Sequence, residues 1–172
     1  AAVKLPGILL RPLRRWAINK VSTTGPEIEI GGAADPYLRR WFVIPRNPLF
    51  NIYLHQICRS DDDRAHHDHP WVNCSILLDG AYAEWTIAAG GIEHAAMRTA
   101  GDVKLRMPGA AHRLELPEEF GNGSYLRPAI SLFITGPRVR QWGFHCPRAG
   151  WVHWRDFTAG PNGETVGRGC DQ

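Results

Sequence analysis

The sequence has little lysine: 3 of its 20 basic residues are Lys and 17 are Arg. It contains no apolar run near the ~18 residues that a membrane-spanning helix needs, so no such helix is expected. The opening Ala1-Ala2-Val3-Lys4-Leu5-Pro6 has no long apolar core, so no secretory leader is visible. The cysteines Cys58, Cys74, Cys146 and Cys170 include no CxxC pair. Their spacing demands no disulfide framework, and reduced thiols in a cytoplasm are expected. The formal net charge of +3 is too mild for a nucleic-acid binder. Internal repeats and low-complexity blocks are absent.

What is present is a chain of 172 residues, 44% hydrophobic, long enough to bury one core without staples. Thirteen Pro and 18 Gly break it at short intervals, and β-branched and aromatic runs lie between them. That pattern predicts an all-β sandwich or barrel. Strands are expected at Glu27–Ile30, Leu38–Ile44, Asn51–Cys58, Trp71–Leu78, Ala81–Ile87, His94–Thr99, Val103–Arg106, His112–Leu116, Ala129–Thr135 and Gln141–His145. Turns fall at Asp79-Gly80, Gly90-Gly91, Gly101-Asp102 and Pro108-Gly109. One basic amphipathic helix is expected over Leu9–Lys20, packing its apolar side on its own barrel rather than on a membrane. The domain is expected to span 1–158 with the helix as an N-terminal extension. Residues 159–172, rich in Gly, are expected to form a flexible tail.

The chemistry concentrates in Arg64-Ala65-His66-His67-Asp68-His69-Pro70-Trp71. In a strand, side chains alternate between faces, so His67 and His69 share one side while His66 and Asp68 take the other. Two imidazoles so placed reach one metal ion at ~2.1 Å, and His112, after Pro108-Gly109, is the natural third ligand. By the same parity Asn73 lies on the ligand side, and a bulge at Pro70 would be needed to turn Cys74 inward. Tyr53, His55 and Trp71 are candidates to line the cavity. Asp68 would orient a neighbour, and no spacing rule selects Glu84 or Glu93 as a ligand. The triplet Asp61-Asp62-Asp63 reads as a solvated loop tip. His145, Cys146 and His153 among Trp142, Trp151 and Trp154 read as an edge or oligomer contact.

These residues resemble the cupin superfamily, the jelly-roll double-stranded β-helix proteins. His67-x-His69 with Gly80 looks like the first cupin motif, and Gly101-Asp102, Pro108-Gly109 and His112 look like the second. The likeness covers about 50–135 and implies a small double-sheet barrel with a metal inside. No Glu follows His69 at the family's place, and the family's final Asn falls on Leu116. The missing carboxylate is similar to the thiol-dioxygenase branch, typified by cysteine dioxygenase, in which three His hold ferrous iron. His67-Asp68-His69 with Cys74, Phe50-Asn51, His112-Arg113 and Ser131-Leu132 look like that branch. Arg46-Asn47 could match its carboxylate-binding pair. Phe133 and Thr135 stand where the branch has His and Tyr, so cysteine dioxygenase itself is not implied.

Three neutral imidazoles leave a divalent ion's charge uncompensated, which suits a small anionic substrate plus dioxygen. Arg46, Arg59, Arg64 and Arg113 are the candidate substrate-binding residues, with Arg138 and Arg140 further along. The expected cofactor is a divalent transition metal, Fe(II) first, with Ni, Mn, Zn and Cu open. The expectation is a non-haem Fe(II) oxygenase. A metal-free sugar-type isomerase or epimerase and a non-enzymatic ligand-binding protein are the alternatives. The expected partner is the small anionic substrate, with no nucleic acid and no membrane, and the resemblance implies a homodimer.

Overall fold

The computed structural model describes residues 3–32, 34–61, 65–88, 91–117, 127–160 and 165–170. The expected all-β architecture is present as two antiparallel sheets with two helices. Helix α1 spans Gly7–Thr23 and helix α2 Trp154–Phe157. The strands are β1 (Val3–Lys4), β2 (Ile28–Ile30), β3 (Leu38–Phe42), β4 (Asn51–Ile57), β5 (His66–His67) and β6 (Asn73–Asp79). They continue as β7 (Ala81–Ile87), β8 (Glu93–Thr99), β9 (Asp102–Arg106), β10 (His112–Glu115) and β11 (Ala129–Thr135). The last are β12 (Gly143–Cys146), β13 (Gly150–His153), β14 (Thr158–Ala159) and β15 (Thr165–Val166). A seven-stranded sheet has the order β1-β9-β6-β11-β4-β3-β2, and a six-stranded sheet has β13-β12-β5-β10-β7-β8.

Period-2 alternation sorts the core into layers. Leu38, Ile57, Leu77 and Ala129 point inward from the larger sheet and meet Tyr82, Leu114 and Leu116. The alternate residues Trp41, Leu54, Leu78, Ile130 and Leu132 point outward and are covered by Ala17 of α1, with Leu10, Leu13 and Val21 beside it. The expected amphipathic helix thus packs on its own sheet. Removing large apolar side chains from water on both faces of a sheet stabilises it by about 1.5–3 kcal/mol per residue. No described helix is long and apolar enough to cross a membrane.

The β6–β7 turn needs its glycine. Gly80 has φ +79°, and a Cβ there would sit 3.0 Å from the Ala129 Cα and the Pro128 carbonyl. Strand β5 is shorter than the parity argument assumed. It ends at His67 because the Asp68 backbone N–H donates to the Gly143 carbonyl and its carboxylate accepts from the Gly143 N–H.

Two expectations about the C-terminal region change. Cys146 and Cys170 form a disulfide, whereas Cys58 and Cys74 are free thiols. The tail expected to be loose is tied down twice, by this bond and by the pairing of β14 with β15. Cysteine spacing alone did not reveal the disulfide, which joins residues 24 apart in the sequence. Val152, Phe144 and Phe157 complete a third apolar cluster there. Cys146→Ser is expected to lower unfolding stability by about 3 kcal/mol in the chain-entropy account, read as a lower urea midpoint. Equal midpoints for the oxidised wild type and the variant would contradict a folded tail.

Candidate metal centre

His67 and His112 are direct cross-strand partners on β5 and β10, which brings their rings to 4.8 Å. His69 follows β5 in the turn and completes the group, 5.2 Å from each of the other rings. One ring nitrogen from each of the three can be chosen so that all lie within 4.8 Å of one another. His69 Nε2 and His112 Nε2 are 3.0 Å apart. That spacing fits two nitrogen ligands sharing one ion at ~2.1 Å each. Imidazole donors suit Fe, Zn, Cu and Ni, so the residues present fit a transition metal.

The buried carboxylate nearest the group is Glu84 on β7, 1% exposed. Its Oε1 lies 3.2 Å from His112 Nδ1, on the side of the ring away from His69. The carboxylate stands at ion-pair distance from Nδ1, and Nε2 faces the shared point. Glu84 is in turn held by Arg98 Nε at 2.8 Å and by Arg106, whose Nε donates at 2.7 Å. Arg106 also donates to Ser75 Oγ at 2.8 Å and lies 3.4 Å from Asn73 Oδ1. Although burial opposes its charge, the His112 and Arg106 contacts hold the Glu84 carboxyl far below the usual carboxylate range. Asp61 stands 3.7 Å from His67 Nδ1 in the same way, and its carboxylate accepts from the Leu114 N–H.

Burial favours the neutral form of His69 and His112, the form that binds metal. Burial first and Arg106 next push His112 down to about 3, against the opposing pull of Glu84. His69 is held well below its usual range by burial and then by its charged and imidazole neighbours. His55 is lowered likewise by burial and by Arg40.

A cavity of about 400 Å³ opens above the three rings. Of the expected lining residues, His55 and Trp71 face it. Tyr53 lies behind, its ring parallel to that of His55. Asn73 points inward as parity predicted but engages Arg106 rather than the imidazole group. Cys74 takes the opposite parity on β6, among the residues that face away from the cavity. Among the arginines, Arg59 reaches the cavity. Arg46 instead lies over the Phe42 ring, and Arg113 pairs with Glu115 and covers Trp85. Arg64, Asp62 and Asp63 lie outside the described residues. Asp61 is no solvated tip.

Asp68 does not support the metal group. It accepts from Arg140, Gly143 N–H, His145 and Trp151, locking β12 and β13 to the turn after β5. His66 faces Glu93, 3.6 Å away. Sequence reasoning missed Arg40 and Arg106, both in the cavity wall. The available signal was alternation: Arg40 shares the face of Leu38, and Arg106 that of Asp102 and Lys104. On β9 the charged residues point inward and Leu105 outward, 63% exposed, the reverse of the usual rule.

A scan of protein families finds none that matches this sequence, and a search of curated proteins finds no relative. Solved structures do match. Oxalate decarboxylase of Bacillus subtilis aligns at 17% identity and a TM-score of 0.45, over 68% of this chain and 28% of that one. A conserved protein with a double-stranded β-helix domain from Klebsiella pneumoniae aligns at 16% and 0.46, over 67% and 90%. Fe(II) HppE in complex with substrate aligns at 12% and 0.49, over 64% and 56%. The chain therefore spans under a third of the first of these proteins and just over half of the last. At these identities nothing about metal or substrate passes from them to this chain.

Two outcomes are expected. Glu84→Gln should weaken metal binding about 10–100-fold, read by chelator competition at pH 7; unchanged affinity would remove Glu84 as the orienting group. In the unfolded chain His55, His69 and His112 take up protons near pH ~6.5, while in the fold they stay neutral. The unfolded state then binds more protons below that pH, so the metal-free protein should lose stability as pH falls from about 7 to about 5. A urea midpoint that stays level across that range would contradict neutral buried rings.

Proposed function

We propose that the chain is a metal-dependent, cupin-type enzyme, a non-haem Fe(II) oxygenase acting on a small anionic substrate. The observation that supports this is a group of three imidazoles with no carboxylate among its donors, under a cavity walled by arginines. Bound there, a divalent ion would act as a Lewis acid with open positions for substrate and dioxygen. The chain's own groups do the rest. Glu84 aims His112, and the arginines hold Glu84 in place. The apolar wall of Leu38, Ile57, Phe133 and Phe144 keeps bulk water from the open side. The Cys146–Cys170 bond fits an oxidising compartment better than a reducing cytoplasm.

One observation favours a second reading. The His112–Glu84 pair at 3.2 Å is the kind of dyad that a metal-free isomerase would use as acid and base. Metal content separates the two. Protein purified without oxygen is expected to carry about one transition metal per chain by mass-spectrometric metal analysis, and His112→Ala to lose most of it. The loaded wild type should then consume oxygen with a panel of carboxylates and thiols. A folded wild type that takes up no Fe(II) would overturn the oxygenase reading and leave the dyad.

A further inference from the structure

Arg40, on β3, lines the same cavity. Its Nε donates to His55 Nε2 at 2.9 Å, and its guanidinium lies 4.9 Å from the centre of the Tyr53 ring. Among the described residues no carboxylate pairs with it, and neither terminal nitrogen has a hydrogen-bond partner. Arg106, the neighbouring guanidinium, is by contrast saturated by Glu84, Ser75 and Asn73. A partly buried cation without a counter-charge loses hydration that no partner restores, and burial lowers the Arg40 pKa. An arriving anion would supply the missing counter-charge, and the two free nitrogens of a guanidinium form the fork that a carboxylate fills.

The surroundings set the distance and the company. The Phe133 ring lies between His55, at 5.0 Å, and His69, at 5.5 Å. One aromatic ring therefore separates the Arg40–His55 pair from the imidazole group. Trp71 stacks near His69, and its buried indole N–H has no partner among the described residues. Leu38, Ile57, Leu114 and Phe144 make most of the remaining wall apolar. The cavity's volume of about 400 Å³ falls in the range of sites for drug-sized ligands, ~300–1,000 Å³.

We infer that Arg40, positioned by His55, binds the acidic end of the substrate, and that this substrate is an amphipathic acid with an apolar body. The inference rests on the reading of the cavity as a substrate site above the imidazole group. His55 is a positioning residue: its neutral Nε2 accepts from Arg40, so its proton sits on Nδ1. The Trp71 indole contributes its ring to the cavity wall beside His69.

The test uses 4-phenylbutyrate, its neutral counterpart 4-phenylbutanol, and acetate, with binding to metal-free protein read by calorimetry and tryptophan fluorescence. Metal uptake is measured separately on the same samples. In the wild type the acid should bind at least about tenfold more tightly than the alcohol, and acetate should bind more weakly still. Arg40→Gln should abolish the preference for the acid and leave the alcohol unchanged, while Arg40→Lys should keep part of it. A wild type that binds acid and alcohol alike, or that fails to bind the acid, would overturn the assignment without recourse to any variant. So would a folded Arg40→Gln protein that retains the preference. Acetate binding as tight as phenylbutyrate would overturn the apolar body. A protein that takes up no metal yet shows the Arg40-dependent preference would sink the oxygenase reading and leave this one standing. Normal metal uptake with no such preference would do the opposite.

Discussion

A carboxylate buried at the centre of the fold must be paired, and Glu84 recruits its partners from both sheets. Arg98 on β8 and His112 on β10 come from its own sheet, and Arg106 crosses from β9 of the other. Removing one member would leave an uncompensated charge in a low-dielectric interior, a loss of about 3–5 kcal/mol. The same contacts turn the His112 ring so that its far nitrogen meets His69. Satisfying one charge therefore ties the sheets together and sets the geometry of the imidazole group.

That arrangement decides the chemistry available. Glu84 is fully engaged by two arginines and one imidazole, so it supports a ligand instead of being one. The donors that remain are three imidazole rings, with no carboxylate among them. Another wall of the cavity carries Arg40, whose guanidinium bonds His55 and meets no carboxylate among the described residues. The C-terminal region closes the wall between them. Phe157 stacks on Phe144 at 3.7 Å, and Thr158, Gly167 and Gly169 face the cavity just before the disulfide at Cys170.

Much of this was legible beforehand, for local reasons. Ala81–Ile87 and Ala129–Thr135 appear as strands with the expected bounds, because turn residues and β-branched runs act over a few positions. His67, His69 and His112 could be chosen from motif spacing. Strand alternation places His67 and His69 on one face only in a continuous strand, and β5 stops after His67. The two rings still converge, because Asp68 bends the chain onto β12. Arg46 and Arg113 lie outside the cavity lining, since nearness in sequence to a motif says nothing about which face a side chain takes.

By itself the sequence determined the strands and their turns, the helix and its apolar face, and which histidines were available. These follow from alternation, glycine conformation and side-chain type, all of which operate within a few residues. Only the tertiary structure decided that Glu84 would stand beside His112, that Arg40 would meet His55 in the cavity wall, and that Cys146 would meet Cys170. Those outcomes depend on which strands become neighbours across two sheets, and that is settled by the simultaneous burial of every inward face rather than by any single segment.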